Sequence, residues 1–142
     1  MKNYAVIYWS GTGNTEIMAK SVFRGIKELN SEVEIYNVSE ITVEDAKKFS
    51  HFAFGCPSMG AEVLEETEFD PFFTKLEGSL SGIKVALFGS YGWGDGEWMR
   101  DWETRTENAG AQLFEEGLIL GDKPTSEGED ECYQFGKKFA AF

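Results

Sequence analysis

Hydrophobic positions along this chain follow two rhythms in turn. Ala5-Val6-Ile7-Tyr8 is an unbroken β-prone run, as expected of a strand covered on both faces, and it stops at Ser10-Gly11-Thr12-Gly13-Asn14-Thr15. From there Met18, Val22, Ile26 and Leu29, with Phe23 beside them, recur at three and four residues, which gives one apolar stripe on a helix ended by Asn30-Ser31. Val33-Glu34-Ile35-Tyr36, His51-Phe52-Ala53-Phe54-Gly55 and Lys84-Val85-Ala86-Leu87-Phe88-Gly89 read as the next three strands, and residues 113–120 as the fifth. Helices are predicted over residues 43–49, 70–77, 97–108 and 127–142, the last capped by Ser126 with acidic residues in its first turn. Five strands alternating with helices over short connections predict an α/β, doubly wound, five-stranded parallel sheet with right-handed crossovers and helices on both faces. No repeat or linker interrupts the alternation, so residues 1–142 read as a single domain.

Composition narrows the function. Thirteen Lys and Arg against 25 Asp and Glu leave a formal charge of −12. Phosphate backbones and anionic lipids are bound by clustered cations, so neither nucleic acid nor a membrane surface is an expected partner. A chain of this size can bury about two thirds of its unfolded surface and needs no disulfide staple or structural metal. The two cysteines, Cys56 and Cys132, have no CxxC spacing, and His51 is the only histidine, so no metal site is expected. The N-terminal apolar run is too short for a signal-peptide core and lacks a cleavage region, which makes a cytoplasmic protein the expectation.

Sheets of this type bind ligands at the carboxyl ends of their strands, which directs attention to three loops. Ser10-Gly11-Thr12-Gly13-Asn14-Thr15 combines glycines, hydroxyls and an amide, and it opens onto a helix N-terminus that favours anions. It reads either as a phosphate site or as an ordinary strand-to-helix turn capped by Asn14 or Thr12. A Walker A loop would need Gly-Lys-Ser/Thr where Gly13-Asn14-Thr15 stands, and a dinucleotide fingerprint would need glycine in place of Glu16. The second loop is Cys56-Pro57-Ser58-Met59-Gly60-Ala61-Glu62, in which Gly60 occupies the first central position of a Met59–Glu62 turn of type II′, where φ is positive. The third, Ser90-Tyr91-Gly92-Trp93-Gly94-Asp95-Gly96, sets Trp93 between glycines at a tip, where it suits stacking on a planar ligand better than burial.

These residues resemble the flavodoxins, specifically the short-chain clostridial type. Tyr8-Trp9-Ser10-Gly11-Thr12-Gly13-Asn14-Thr15-Glu16 is similar to that family's FMN-phosphate loop almost letter for letter, and Gly89-Ser90-Tyr91-Gly92-Trp93-Gly94-Asp95-Gly96 to its second flavin-flanking loop. The fifth strand runs into Gly121-Asp122-Lys123-Pro124 without the insertion of long-chain members, and Ala61 stands where the similar clostridial proteins carry an acidic residue. The resemblance implies a sheet in the order 2-1-3-4-5 and FMN as cofactor. Ser10, Gly11, Thr12, Gly13, Asn14, Thr15 and Ser58 would hold the phosphate. Pro57, Met59, Gly60, Ala61, Glu62, Ser90, Tyr91, Gly92, Trp93, Gly94 and Asp95 would surround the flavin, with Met59 and Trp93 on its two faces, the Gly60 carbonyl toward N5 and Glu62 accepting from N3–H.

The resemblance further implies a monomeric, low-potential one-electron carrier that shuttles FMN between semiquinone and hydroquinone in place of ferredoxin, with no catalytic residue. Its partners would be ferredoxin- or flavodoxin-type oxidoreductases with basic docking patches. Glu62, Glu65, Glu66, Glu68, Asp70, Asp95, Glu97 and Asp101 crowd the same end and read either as a solvated face or as charges that steer docking. The alternative is an FMN-dependent quinone or NAD(P)H oxidoreductase of the same fold, which would need an added segment or polar groups for a hydride donor.

Overall fold

In the computed structural model, which describes residues 2–142, parallel pairing joins β1 (Tyr4–Tyr8) to β2 (Val33–Asn37) on one side and to β3 (His51–Gly55) on the other, and β3 to β4 (Lys84–Tyr91). The order is β2-β1-β3-β4-β5, β5 being Gln112–Leu113, with the chain reversing direction across the sheet between β1 and β3. Period-two side-chain alternation divides each apolar run between two cores. Ala5, Ile7, Phe52, Phe54, Val85 and Leu87 pack against α3 (Phe69–Glu77) and α4 (Glu97–Asn108), where Phe73, Trp98 and Trp102 are fully buried. Tyr4, Val6, Ala53 and Ala86 turn to the opposite face, toward α1 (Asn14–Leu29) and α5 (Ser126–Ala140). Met18, Val22 and Ile26 supply the predicted α1 stripe, but Leu29 is exposed in the last turn, beyond the sheet's cover.

The fifth strand position departs from expectation. Two segments share it, β5 (Gln112–Leu113) and β6 (Leu118–Gly121), both parallel to β4. Lys84 faces Gln112 and Phe88 faces Leu118, so four steps along β4 are matched by six along its neighbour. The excursion carries Glu115 and Glu116 outward, Glu115 at φ +49°. Gly117 closes it against α4, where its N–H donates to Glu103 Oε2 and a side chain would strike the Met99 thioether.

Helix ends also shift. α5 is capped by Thr125, whose hydroxyl accepts from the Gly128 N–H (3.2 Å), rather than by Ser126, which lies inside the first turn. α2 shrinks to Val43–Ala46, capped by Thr42. Among the described residues no helix is long and apolar enough to cross a membrane, and no cluster of His, Cys, Asp and Glu is placed to hold a metal ion.

Candidate functional site

Where the sheet reverses, the carboxyl ends of β1, β3 and β4 open into a cleft of about 240 Å³. The backbone of the loops continues the sheet's hydrogen bonding: Trp9 N–H donates to the Gly55 carbonyl (3.0 Å), Cys56 N–H to Phe88 (3.1 Å) and Ser58 N–H to Ser90 (3.0 Å). The bases of the three loops are thus tied into the sheet. Its lining includes Ser10, Gly11, Thr12, Asn14 and Thr15 from the first loop, Pro57, Ser58 and Met59 from the second, and Ser90, Tyr91 and Gly92 from the third.

At the cleft floor, α1 begins after Gly13, which takes φ +99° and offers no side-chain cap. Neither Asn14 nor Thr12 caps the helix as the sequence suggested. Ser10 does so instead, its Oγ accepting from the Gly13 (3.1 Å) and Glu16 (3.2 Å) N–H groups. The helix geometry leaves the Asn14 and Thr15 N–H groups without an intrahelical acceptor, and the Ser10 O–H remains free to donate. Thr15 and Ser90 are buried and joined hydroxyl to hydroxyl at 2.7 Å. The Ser58 hydroxyl is buried with no partner among the described residues. Such a set of unspent donors beside the positive end of a helix dipole suits an anion with several acceptor oxygens. None of the described lining residues is Lys or Arg, and one, Asp122, is acidic.

Above the floor, Met59 and Val63 exchange N–H···O bonds, both 2.9 Å, and close a tight loop at Gly60, Ala61 and Glu62. Gly60 has the positive φ that its position called for, +51°, but the closing pair is Met59 with Val63 rather than Met59 with Glu62, and Glu62 also takes positive φ, +56°. Met59 is 36% exposed and Trp93 59%. Two large apolar side chains left this open, one on the second loop and one on the third, suit cover by a planar aromatic group. Gly60, Ala61, Glu62, Trp93, Gly94, Asp95 and Gly13 lie outside the cleft lining itself, on the loops around it. The Glu62 carboxylate accepts from the Glu97 N–H (3.2 Å) and lies directly against Gly94, which takes φ +88°, so the second and third loops meet through it. Asp95 pairs with Arg100 at the surface (3.2 Å).

Two further lining residues, Trp9 and Asp122, were not singled out from sequence. Trp9 stood inside the first motif and Asp122 directly follows a strand's carboxyl end, which is the signal that would have found both.

Two of the acids read as rim charges prove to be structural. Glu65 is only 5% exposed; its carboxylate accepts from the N–H groups of Thr67 (2.9 Å), Glu68 (2.8 Å) and Phe69 (2.8 Å) and from the Thr67 hydroxyl. Burial alone would raise its pKa, but those hydrogen bonds outweigh it and hold the carboxyl below its ordinary value. Asp70 is tied to Arg105 (2.8 Å), which also holds Glu77 and lies over the Phe73 ring. Glu66, Glu68, Glu97 and Asp101 remain exposed. Cys56 is fully buried beneath the second loop, its thiol pushed up by burial, and Cys132 is pushed up to about 12 for the same reason. His51 packs against Tyr4 at the opposite end of the sheet, their rings tilted by 36°.

Comparison with known proteins agrees with this geometry. The chain is 48% identical over 135 residues to flavodoxin from Clostridium beijerinckii, spanning 95% of this chain and 97% of the relative, and 42% identical to flavodoxin from Megasphaera elsdenii over 95% and 96%. The solution structure of two-electron reduced Megasphaera elsdenii flavodoxin superposes with a TM-score of 0.87 at 40% identity, covering 98% of this chain and 99% of that one. These likenesses, short chain included, favour the carrier over the oxidoreductase alternative. Since the family model described as Flavodoxin also matches residues 6–136, the chain belongs to the flavodoxin family of FMN-binding electron carriers.

Proposed function

We propose that Ser10, Gly11, Thr12, Gly13, Asn14, Thr15 and Ser58 hold the FMN phosphate, that Met59 and Trp93 flank the ring with Pro57, Gly60, Ala61, Glu62 and residues 90–95 around its edge, and that the chain acts as a low-potential, one-electron carrier in place of ferredoxin. Bound FMN supplies reversible one-electron chemistry. The observation that carries the assignment is the buried, unpartnered Ser58 hydroxyl in a cleft that the first turn of α1 also lines. Neutral hydroxyls, backbone N–H groups and a helix dipole hold a phosphate without neutralising it. With no cation in the lining and Asp122 beside it, the surroundings resist any further negative charge, and this lowers the potential at which an electron is accepted.

Electrons pass to redox partner proteins. The exposed carboxylates of Glu66, Glu97 and Asp101 on the loops that follow the site and on α4 support docking onto basic patches of those partners, steered by the net charge of −12. We place this single-domain chain as a monomer in the cytoplasm. Titration of the apoprotein with FMN and with riboflavin tests the phosphate assignment. FMN is expected to bind far more tightly, and equal affinities would refute it. Rapid NAD(P)H oxidation by the holoprotein alone would refute the carrier role.

A further inference from the structure

Trp9 belongs to the phosphate loop, and Glu68 to the segment that leads from the flavin-flanking loop into α3. The two side chains meet: the Trp9 Nε1–H donates to Glu68 Oε1 at 3.1 Å. The indole lies directly over Gly11, so close that a Cβ there would sit 3.0 and 3.2 Å from its ring carbons. A larger residue at Gly11 would require the ring to shift by a few tenths of an ångström. On the other side, Glu68 does not float free. Its own N–H is held by Glu65 Oε1 (2.8 Å), and the Glu65 N–H points at the Cys56 sulfur (3.4 Å) at the base of the same loop. The Glu68 backbone is therefore tied through Glu65 to the base of the loop whose Pro57, Ser58 and Met59 line the cleft, and Trp9 lines the cleft beside Ser10 to Thr12.

We propose that Trp9 and Glu68 form a latch that joins the phosphate loop to the flavin-flanking loop and sets how slowly FMN leaves. The two are positioning residues; the proposal rests on FMN occupying this cleft. A ligand that is gripped by residues 10–15 at one end and flanked by Met59 at the other leaves only when the two walls part, and parting them breaks this charge-assisted hydrogen bond.

The test is the rate of FMN loss from holoprotein, followed by the rise of free-flavin fluorescence on dilution. Trp9→Phe keeps an aromatic ring at this position and removes the donor, while Glu68→Ala, at an exposed position, removes the acceptor. Each is expected to speed FMN loss about three- to tenfold, as fits one partly exposed hydrogen bond to a charged group. The double variant should be no faster than either single one, and Glu68→Gln, which retains a carbonyl acceptor, should restore a rate near the unaltered protein's. In parallel, the Trp9 indole N–H resonance, identified by its loss in Trp9→Phe, should move in Glu68→Ala and stay close to its place in Glu68→Gln. Unchanged rates in both single variants, or effects that multiply in the double variant, overturn the latch while leaving the FMN assignment intact. Failure of the unaltered chain to bind FMN overturns the assignment and the latch together.

Discussion

Replacing Glu65 should cost more than any other surface-acid substitution, because its two carboxylate oxygens serve different donors. Oε1 accepts from Glu68 and Phe69, and Oε2 from the Thr67 N–H and hydroxyl. The set caps the start of α3 and fixes the turn ahead of it. An N-cap is worth about 1 kcal/mol and a hydrogen bond to a charged group about 1.5–3 kcal/mol, but the freed N–H groups near the surface regain water, so Glu65→Ala is expected to lose about 2–4 kcal/mol. At about 2–4 °C per kcal/mol for a chain of this size, the midpoint should fall by about 4–16 °C. Glu65→Gln keeps one oxygen and turns its NH2 toward donors on the other side, so it should lose roughly half as much. The pH dependence follows from the depressed pKa. The stabilisation is fully present above the ordinary value of 4.5 and is lost as pH falls through the lower folded value, where the protonated acid no longer accepts from both sides. Thermal unfolding by circular dichroism at pH 7 and near pH 3, on the unaltered protein and both variants, measures this. A Glu65→Gln protein as stable as the original at pH 7, or a gap between them that persists undiminished at low pH, would refute the reasoning.

Three further outcomes are expected. Thr12→Ala should weaken FMN by about 1–3 kcal/mol while leaving riboflavin affinity nearly unchanged, read by fluorescence titration; a matching loss for riboflavin would take Thr12 away from the phosphate. Gly60→Val places a β-branched residue at φ +51°, which costs about 1–3 kcal/mol, and if the Gly60 carbonyl faces flavin N5 as the family resemblance implies, the first one-electron potential should fall more than the second in spectroelectrochemical titration. Neutralising Glu66, Glu97 and Asp101 together, and sparing Glu65 and Asp70, should slow electron transfer to a basic partner at low salt and flatten its ionic-strength dependence in stopped flow, whereas identical salt profiles would remove their steering role.

Much of the architecture is legible in the chain. The unbroken run at Ala5 to Tyr8, the three-and-four spacing from Met18 to Ile26 and the glycine-rich stops between them are local properties, since residue type and period decide which backbone conformation buries apolar surface. The first and third loops announced themselves for the same reason: hydroxyls and glycines before a helix, and a tryptophan where nothing nearby can cover it. Only the tertiary structure decided what depends on distant partners. The two-residue excursion between β5 and β6 answers to Met99 and Glu103 on α4, and Leu29, at the last turn of α1, is left exposed. Ser10 wins the helix cap from Asn14 and Thr12 through the path the loop takes after β1. Sharpest of all is the acidic stretch from Glu62 to Asp70, where five identical charges in sequence separate into a strut, a latch, an ion pair, an inter-loop acceptor and a solvated surface group. A carboxylate's role is set by which donors lie within about 3 Å of it, and the donors that Glu62, Glu68 and Asp70 find belong to elements that only the fold brings near.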